Sequence, residues 1–101
     1  MQQLYSSDQV QRIAERYAIE AAQAGIREAY LLLANFYLNG RFGRRDLVSG
    51  FAYASALNSL QADAGASDLL DRYRSQLTPR ELQAAEALSS SIVQKCCTVG
   101  G

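Results

Sequence analysis

Residues 21–46, AAQAGIREAYLLLANFYLNGRFGRRD, constrain this chain more than any other stretch. Gly25 follows one helical pattern and precedes another, the place of a C′ residue that turns left-handed. The next helix is predicted over about residues 27–39. Its apolar residues include Ala29, Tyr30, Leu31, Leu32, Leu33 and Leu38. They spread wider than one stripe, so the helix is expected to be covered on more than one side. Gly40 ends it, and Asp46 is placed to cap the helix that follows. Ala34 is small between large neighbours and admits a close helix approach. The other helices are expected to pack onto this stretch.

The flanking segments read as helix too. Ser6-Ser7-Asp8-Gln9 offers a start, with Ser6 as cap and Gln9 reaching back. Val10, Ile13, Ala14, Tyr17, Ala18 and Ala21 then repeat at helical spacing, so they are predicted to form the buried face. That helix is expected to end near Ala24. A third helix is predicted over about residues 46–60, with Leu47, Phe51, Ala54 and Leu57 in one row and Tyr53, Ala56 and Leu60 in the next. Gly50 inside it marks either a close helix contact or a weak point, since Gly costs about 1 kcal/mol relative to Ala there. Residues 63–67 break the pattern. A fourth helix is predicted over about residues 67–76, with Leu69, Leu70, Tyr73 and Leu77 inward. Thr78-Pro79-Arg80-Glu81 is the clearest local signal: an N-cap, a Pro at the first helical position and a capping box. The fifth helix runs to about residue 95 and buries Leu82, Ala85, Leu88, Ile92 and Val93.

Ala21-Ala22, Gly25, Ala29, Leu33, Ala34, Tyr37, Gly40 and Asp46 resemble the signature of the Sel-one-like repeat, a helix–turn–helix solenoid family related to tetratricopeptide repeats. The family usually follows the helix-ending Gly with a second Gly and a Val. This chain has Phe42 and Gly43 instead, so a different local turn is expected. Tyr17 and Tyr53 stand 36 positions apart, as do Ala14 and Gly50, a spacing that suits a helix-pair repeat. LTPRELQAAEAL is similar to the segment that closes many bacterial members. The resemblance covers about residues 14–88. It implies an all-α fold, a short α/α solenoid of about five antiparallel helices with a C-terminal capping helix. Residues 1–95 form one domain on this reading, and 96–101 a disordered tail.

Composition narrows the function. Ten basic and ten acidic residues cancel, which gives no electrostatic case for nucleic acid or an anionic membrane surface. No apolar run approaches the ~20 residues of a membrane span, so no membrane insertion is expected. The opening MQQLYSSD lacks a basic region followed by an apolar core. The chain is therefore expected to be cytoplasmic, or an exported protein whose leader has been removed. There is no His, which removes the commonest general base and most zinc sites. Cys96 and Cys97 are adjacent and cannot complete a tetrahedral site. They are expected to be free thiols that cross-link on oxidation. NGRFGRR lacks the Gly-Lys-Ser/Thr of a phosphate loop. No cofactor, metal or catalytic residue is expected. Asp68 and Asp71 beside Arg72 and Arg74 read as a solvated face.

What remains is recognition of a protein or peptide, with a homo-oligomer as a further possibility. The turn supplies Arg41, Phe42, Arg44 and Arg45, cations around an aromatic, a combination enriched at interface hot spots. Against this, Phe42 can tuck into the core and leave the arginines solvated. On the second helix, Tyr30, Leu32 and Asn35 take positions the family usually leaves polar, on the helix lining the concave face. They form either a binding surface or a contact with the N-terminal segment or with a further repeat. The resemblance implies a non-catalytic adaptor, scaffold, assembly chaperone or immunity-type partner. A structural segment of a longer repeat protein, or a homodimerising one, is the alternative, and its mark would be an apolar N-terminal helix face left exposed. Some relatives have been described as hydrolases, but no Ser–Lys or paired-acid arrangement supports that here.

Overall fold

The structure is a computed structural model that describes residues 7–96. These fold into five α-helices and one 3₁₀ turn, and no strand occurs among them. They are α1 (Ser7–Gln23), α2 (Arg27–Asn39), α3 (Leu47–Leu60), α4 (Ala64–Tyr73) and α5 (Pro79–Lys95), with the 3₁₀ turn at Arg74–Gln76 between α4 and α5. Ser6, expected to cap α1, lies outside the described residues, as do residues 97–101 of the expected tail. Cys96 is described: it ends α5 and is buried against α1, with Sγ 3.9 Å from the Ala22 carbonyl oxygen. It is disulfide-bonded, which corrects the expectation of a free tail thiol.

The helix ends follow local chemistry. After α1, the Ile26 N–H donates to the Ala21 carbonyl (3.1 Å) and Gly25 to Ala22 (2.9 Å), with Gly25 at φ 92°. Gly40 ends α2 the same way at φ 75°, with Arg41 donating to Phe36 at 2.8 Å. Both are Schellman ends that satisfy the last carbonyls of their helices. The Asp46 carboxylate caps α3 by accepting from the Ser49 N–H at 3.0 Å. Thr78 Oγ1 accepts from the Glu81 N–H, and Glu81 accepts from the Thr78 N–H, so the capping box of α5 is complete. α4 begins three residues before its predicted start. Asp63 caps it by accepting from Ala66 at 2.9 Å. Gly65 therefore sits in the first turn, where the N–H groups have no helical partner and Gly costs little.

α3 is the hub rather than α2. It packs against α2, α4 and α5, while α1 lies chiefly on α2. The α3 sequence LVSGFAYASALNSL contains no charged residue, and Gly50, Phe51, Ala52, Ala54, Ala56 and Leu57 are buried. From α2 come Ala29, Tyr30, Leu33, Ala34, Tyr37 and Leu38, from α4 Leu69 and Leu70, and Leu77 follows the 3₁₀ turn. Leu60, expected inward, is 40% exposed at the end of α3.

Gly50 is a close-contact position. A Cβ there would lie 2.6 Å from Leu38 Cγ and 3.1 Å from the Ala34 carbonyl oxygen. Leu38 is itself fully enclosed and cannot swing away. Gly50→Ala is therefore expected to destabilise the fold. Overpacking costs about 1–3 kcal/mol against the ~1 kcal/mol that Ala returns in helix propensity. Thermal unfolding should show a melting temperature lower by about 4–8 °C for each kcal/mol lost. An unchanged or higher value would mean that α2 and α3 can part without penalty.

Candidate interaction surfaces

α1 buries only part of the face that its periodicity predicts: Ala18 and Ala21 pack against the core, and the rest of the row stays outside. Val10 is 53% exposed, Ile13 41% and Tyr17 67%, and Ala14 is exposed with them. The side turned to α2 carries Ala18, Ile19 and Ala22, together with Gln11 and Glu15, which are half-buried. At about 100° per residue, the exposed apolar row lies roughly a third of a turn from the packed one. The Schellman end at Gly25 fixes how the chain leaves α1, and α2 reaches one side only. A helix with so wide an apolar arc needs two neighbours. Val10, Ile13, Ala14 and Tyr17 thus form a continuous exposed row over two turns. Periodicity locates such a row but carries no signal for whether another element covers it.

The residues expected to bind fall into three groups. Tyr30 is core: it is 1% exposed, so it offers no outer surface. Its neighbour in the expected set, Leu32, lies about 200° around α2 and is 41% exposed. Asn35 is half-buried, and its Nδ2 donates to the Leu31 carbonyl at 3.0 Å within the same helix. The turn residues form the third group. Gly43, at φ 115°, lets the loop fold back so that Phe42 packs on Phe36 and Tyr37, with centroids 5.2 and 5.1 Å apart. The Arg41 guanidinium covers Phe36 at 5.5 Å. Arg45 donates to the Leu38 carbonyl at 3.0 Å and to Gln76 at 3.1 Å, tying the end of α2 to the 3₁₀ turn. Phe42, Arg41 and Arg45 are thus occupied in building the turn.

Arg44 differs. It borders an open cleft of about 570 Å³ between the first half of α1 and the turn, with Arg12 on the α1 side. Asp8, Glu15 and Asp46 also line it, so the charges are mixed and the cleft has no single electrostatic preference. Its floor holds the main polar link between α1 and α2, in which the Tyr37 hydroxyl donates to the Glu15 carboxylate. Burial, and then that bond to an anion, push the Tyr37 pKa well above the ordinary tyrosine value. Burial also raises Tyr53 and Tyr30. Among the described residues no helix is long and apolar enough to cross a membrane, and no group of three His, Cys, Asp or Glu is placed to hold a metal ion.

Comparison with known proteins returns nothing: no family model, no curated protein and no solved structure matches this chain.

The raised tyrosine pKa values fix a pH dependence. The unfolded chain releases a tyrosine proton near pH 10, whereas folded Tyr37 keeps it. The contribution to stability is therefore complete below about pH 10 and declines above it, by up to ~1.4 kcal/mol per pH unit for each such tyrosine. Denaturant midpoints measured between pH 8 and 11.5 should fall in the upper part of that range. Tyr37→Phe should make the fall shallower, and an identical slope in the variant would show that Tyr37 ionises freely in the folded state.

Proposed function

We propose that this chain is a non-catalytic protein-interaction module of the Sel-one-like repeat type, which takes a protein partner on the outer face of α1. The observation that carries the reading is the exposed row Val10, Ile13, Ala14 and Tyr17. In helix-pair solenoids no unit buries its apolar face alone, and each terminal face needs a neighbour or a polar cap. α1 is the terminal helix of the described residues and carries an apolar face. Tyr17, the most exposed of the row, is of the residue type that anchors interfaces. The lack of His supports a role without catalysis. Adaptor, scaffold, assembly chaperone and immunity-type partner all fit this surface. Of the residues expected to bind, Leu32 and Arg44 keep free surface and stay in the proposal as secondary contacts.

The same row is also the mark expected of the alternative, in which the partner is a further repeat or a second copy of this chain. One experiment separates the two. Light scattering across a concentration series, with an apolar dye as reporter, is run on the wild type and on Tyr17→Glu. For a module awaiting a different protein, the wild type stays monomeric and binds dye, and the variant loses most of the dye signal. A dimer that the variant abolishes would select the alternative. A monomer that binds no dye would remove α1 as an interaction face and overturn both.

A further inference from the structure

α1 begins at Ser7, and this start sets a register for the residues before it. Ser6 takes the N-cap position and Gln9 the third helical position, the Ser-x-x-Gln pattern of a capping box. Tyr5 then stands at N′ and Val10 at the fourth helical position. An apolar pair at these two positions is a hydrophobic staple: the N′ side chain packs on the helix and fixes the angle at which the chain enters it. Val10 is the first member of the exposed row and is 53% exposed. Among the described residues no helix covers Val10, Ile13 and Tyr17. The register of α1 thus aims the preceding chain at a row that the helices leave open.

We propose that Leu4 and Tyr5, which lie outside the described residues, close over the first half of this row as a strap, with Tyr5 on Val10 and Leu4 at Ile13. Reach supports this. The chain from Ser7 back to Leu4 spans up to about 10 Å, and Ile13 lies about 9 Å from Ser7 along the helix axis. Tyr17 lies about 15 Å along, beyond both residues, so the strap leaves it open. Tethering supports it too. A segment attached at Ser7 acts at an effective concentration on the order of millimolar, whereas a second copy must associate from solution. The other end of the chain fits less well. Cys96 lies against the Ala22 carbonyl, on the packed side and at the far end of α1, and Val99 is the one large apolar residue after Cys97. The strap rests on the same exposed row as the proposed interaction face, but not on there being a partner. It divides the row into a half that the chain itself covers and an open half at Tyr17, and a partner that needs Val10 and Ile13 must displace it.

Nuclear Overhauser contacts in the full chain test this directly. At a concentration where light scattering reports a monomer, the Tyr5 ring protons are expected to contact the Val10 methyl groups, and the Leu4 methyls those of Ile13. Tyr5→Ser should move the Val10 methyl resonances toward their random-coil positions and leave those of Leu33 and Leu57, in the core, where they are. An apolar dye gives the second readout. The double variant Leu4→Ser, Tyr5→Ser should bind about twofold more dye than the wild type, as Val10 and Ile13 join Tyr17 in one exposed apolar patch. No contact between Tyr5 and Val10, or equal dye binding by the double variant and the wild type, would overturn the strap. A contact seen only at concentrations where the chain dimerises would overturn it in favour of a second copy. Failure of the interaction face reads differently: dye binding that Tyr17→Glu leaves unchanged removes that face, whereas the contact between Tyr5 and Val10 is measured independently of Tyr17.

Discussion

The approach of α2 and α3 at Gly50 is the constraint on which the rest of this fold depends. A charge-free helix of 14 residues must be surrounded, and α3 is surrounded because its side chains let three helices come near. Gly50 faces Leu38 and the Ala34 carbonyl, while Ala52, Ala54 and Ala56 are each fully enclosed. Small residues lower the area buried per position but shorten the distance between helix axes, so larger neighbours such as Phe51, Leu57 and Leu38 reach across. α1 stands outside this arrangement. It lies chiefly on α2, and among the described residues no helix covers Val10, Ile13 and Tyr17.

An aromatic series joins the turn to the interior. Phe36 touches Phe42, Phe42 touches Tyr37, and Tyr37 stacks on Tyr53, which meets Tyr30 edge-on. Each pair contributes beyond its buried area through the ring quadrupoles. The two tyrosines of α2 lie two turns apart on one face, yet their hydroxyls fare differently. Tyr37 ends at the cleft and finds Glu15 of α1. Tyr30 ends deeper, where Glu15 is out of reach, and its hydroxyl finds nothing. Residue type is equal at the two sites, so the difference comes from what the neighbouring helices bring.

That contrast shows which features the sequence makes legible. Gly25, Gly40, Asp46 and Thr78-Pro79-Arg80-Glu81 set helix ends through bonds closed within a few residues, and such bonds can be read from a short window. The start of α4 is set locally as well: Gly65 reads as a breaker, although in the first turn after an Asp cap it is tolerated. The face of α1 and the fate of Tyr30 were not legible. Periodicity reveals that α1 has an apolar side, but not that Glu15, Ile19 and Ala22 turn inward while Val10, Ile13 and Tyr17 stay outside. The polar preference of the matching position in Sel-one-like repeats leaves Tyr30 open between a binding surface and a packing contact; here it is enclosed, with Tyr53 of α3 edge-on to its ring. Phe42 tucked inward, one of the two outcomes its sequence context allowed, because Gly43 supplies the left-handed turn.

The orientation of α1 poses an energetic question of its own. Turning it by about a third of a turn would bury Val10, Ile13 and Tyr17 against α2, at roughly 1.5–3 kcal/mol for each large apolar side chain fully covered. It would also expose Ile19 and Ala22 and break the Tyr37–Glu15 bond, a charge-assisted contact worth about 1.5–3 kcal/mol. It would leave the buried Tyr37 hydroxyl without an acceptor as well. Rotation therefore exchanges one apolar row for another and loses a paired polar link. No rotation about the helix axis lets α2 cover both rows, because they are too far apart around the helix for one neighbour. The surplus of apolar surface on α1 follows from its sequence rather than from one choice of packing. Only a surface outside the described residues can cover it, and such a surface would gain the burial of Val10, Ile13 and Tyr17 without disturbing the contact of α1 with α2.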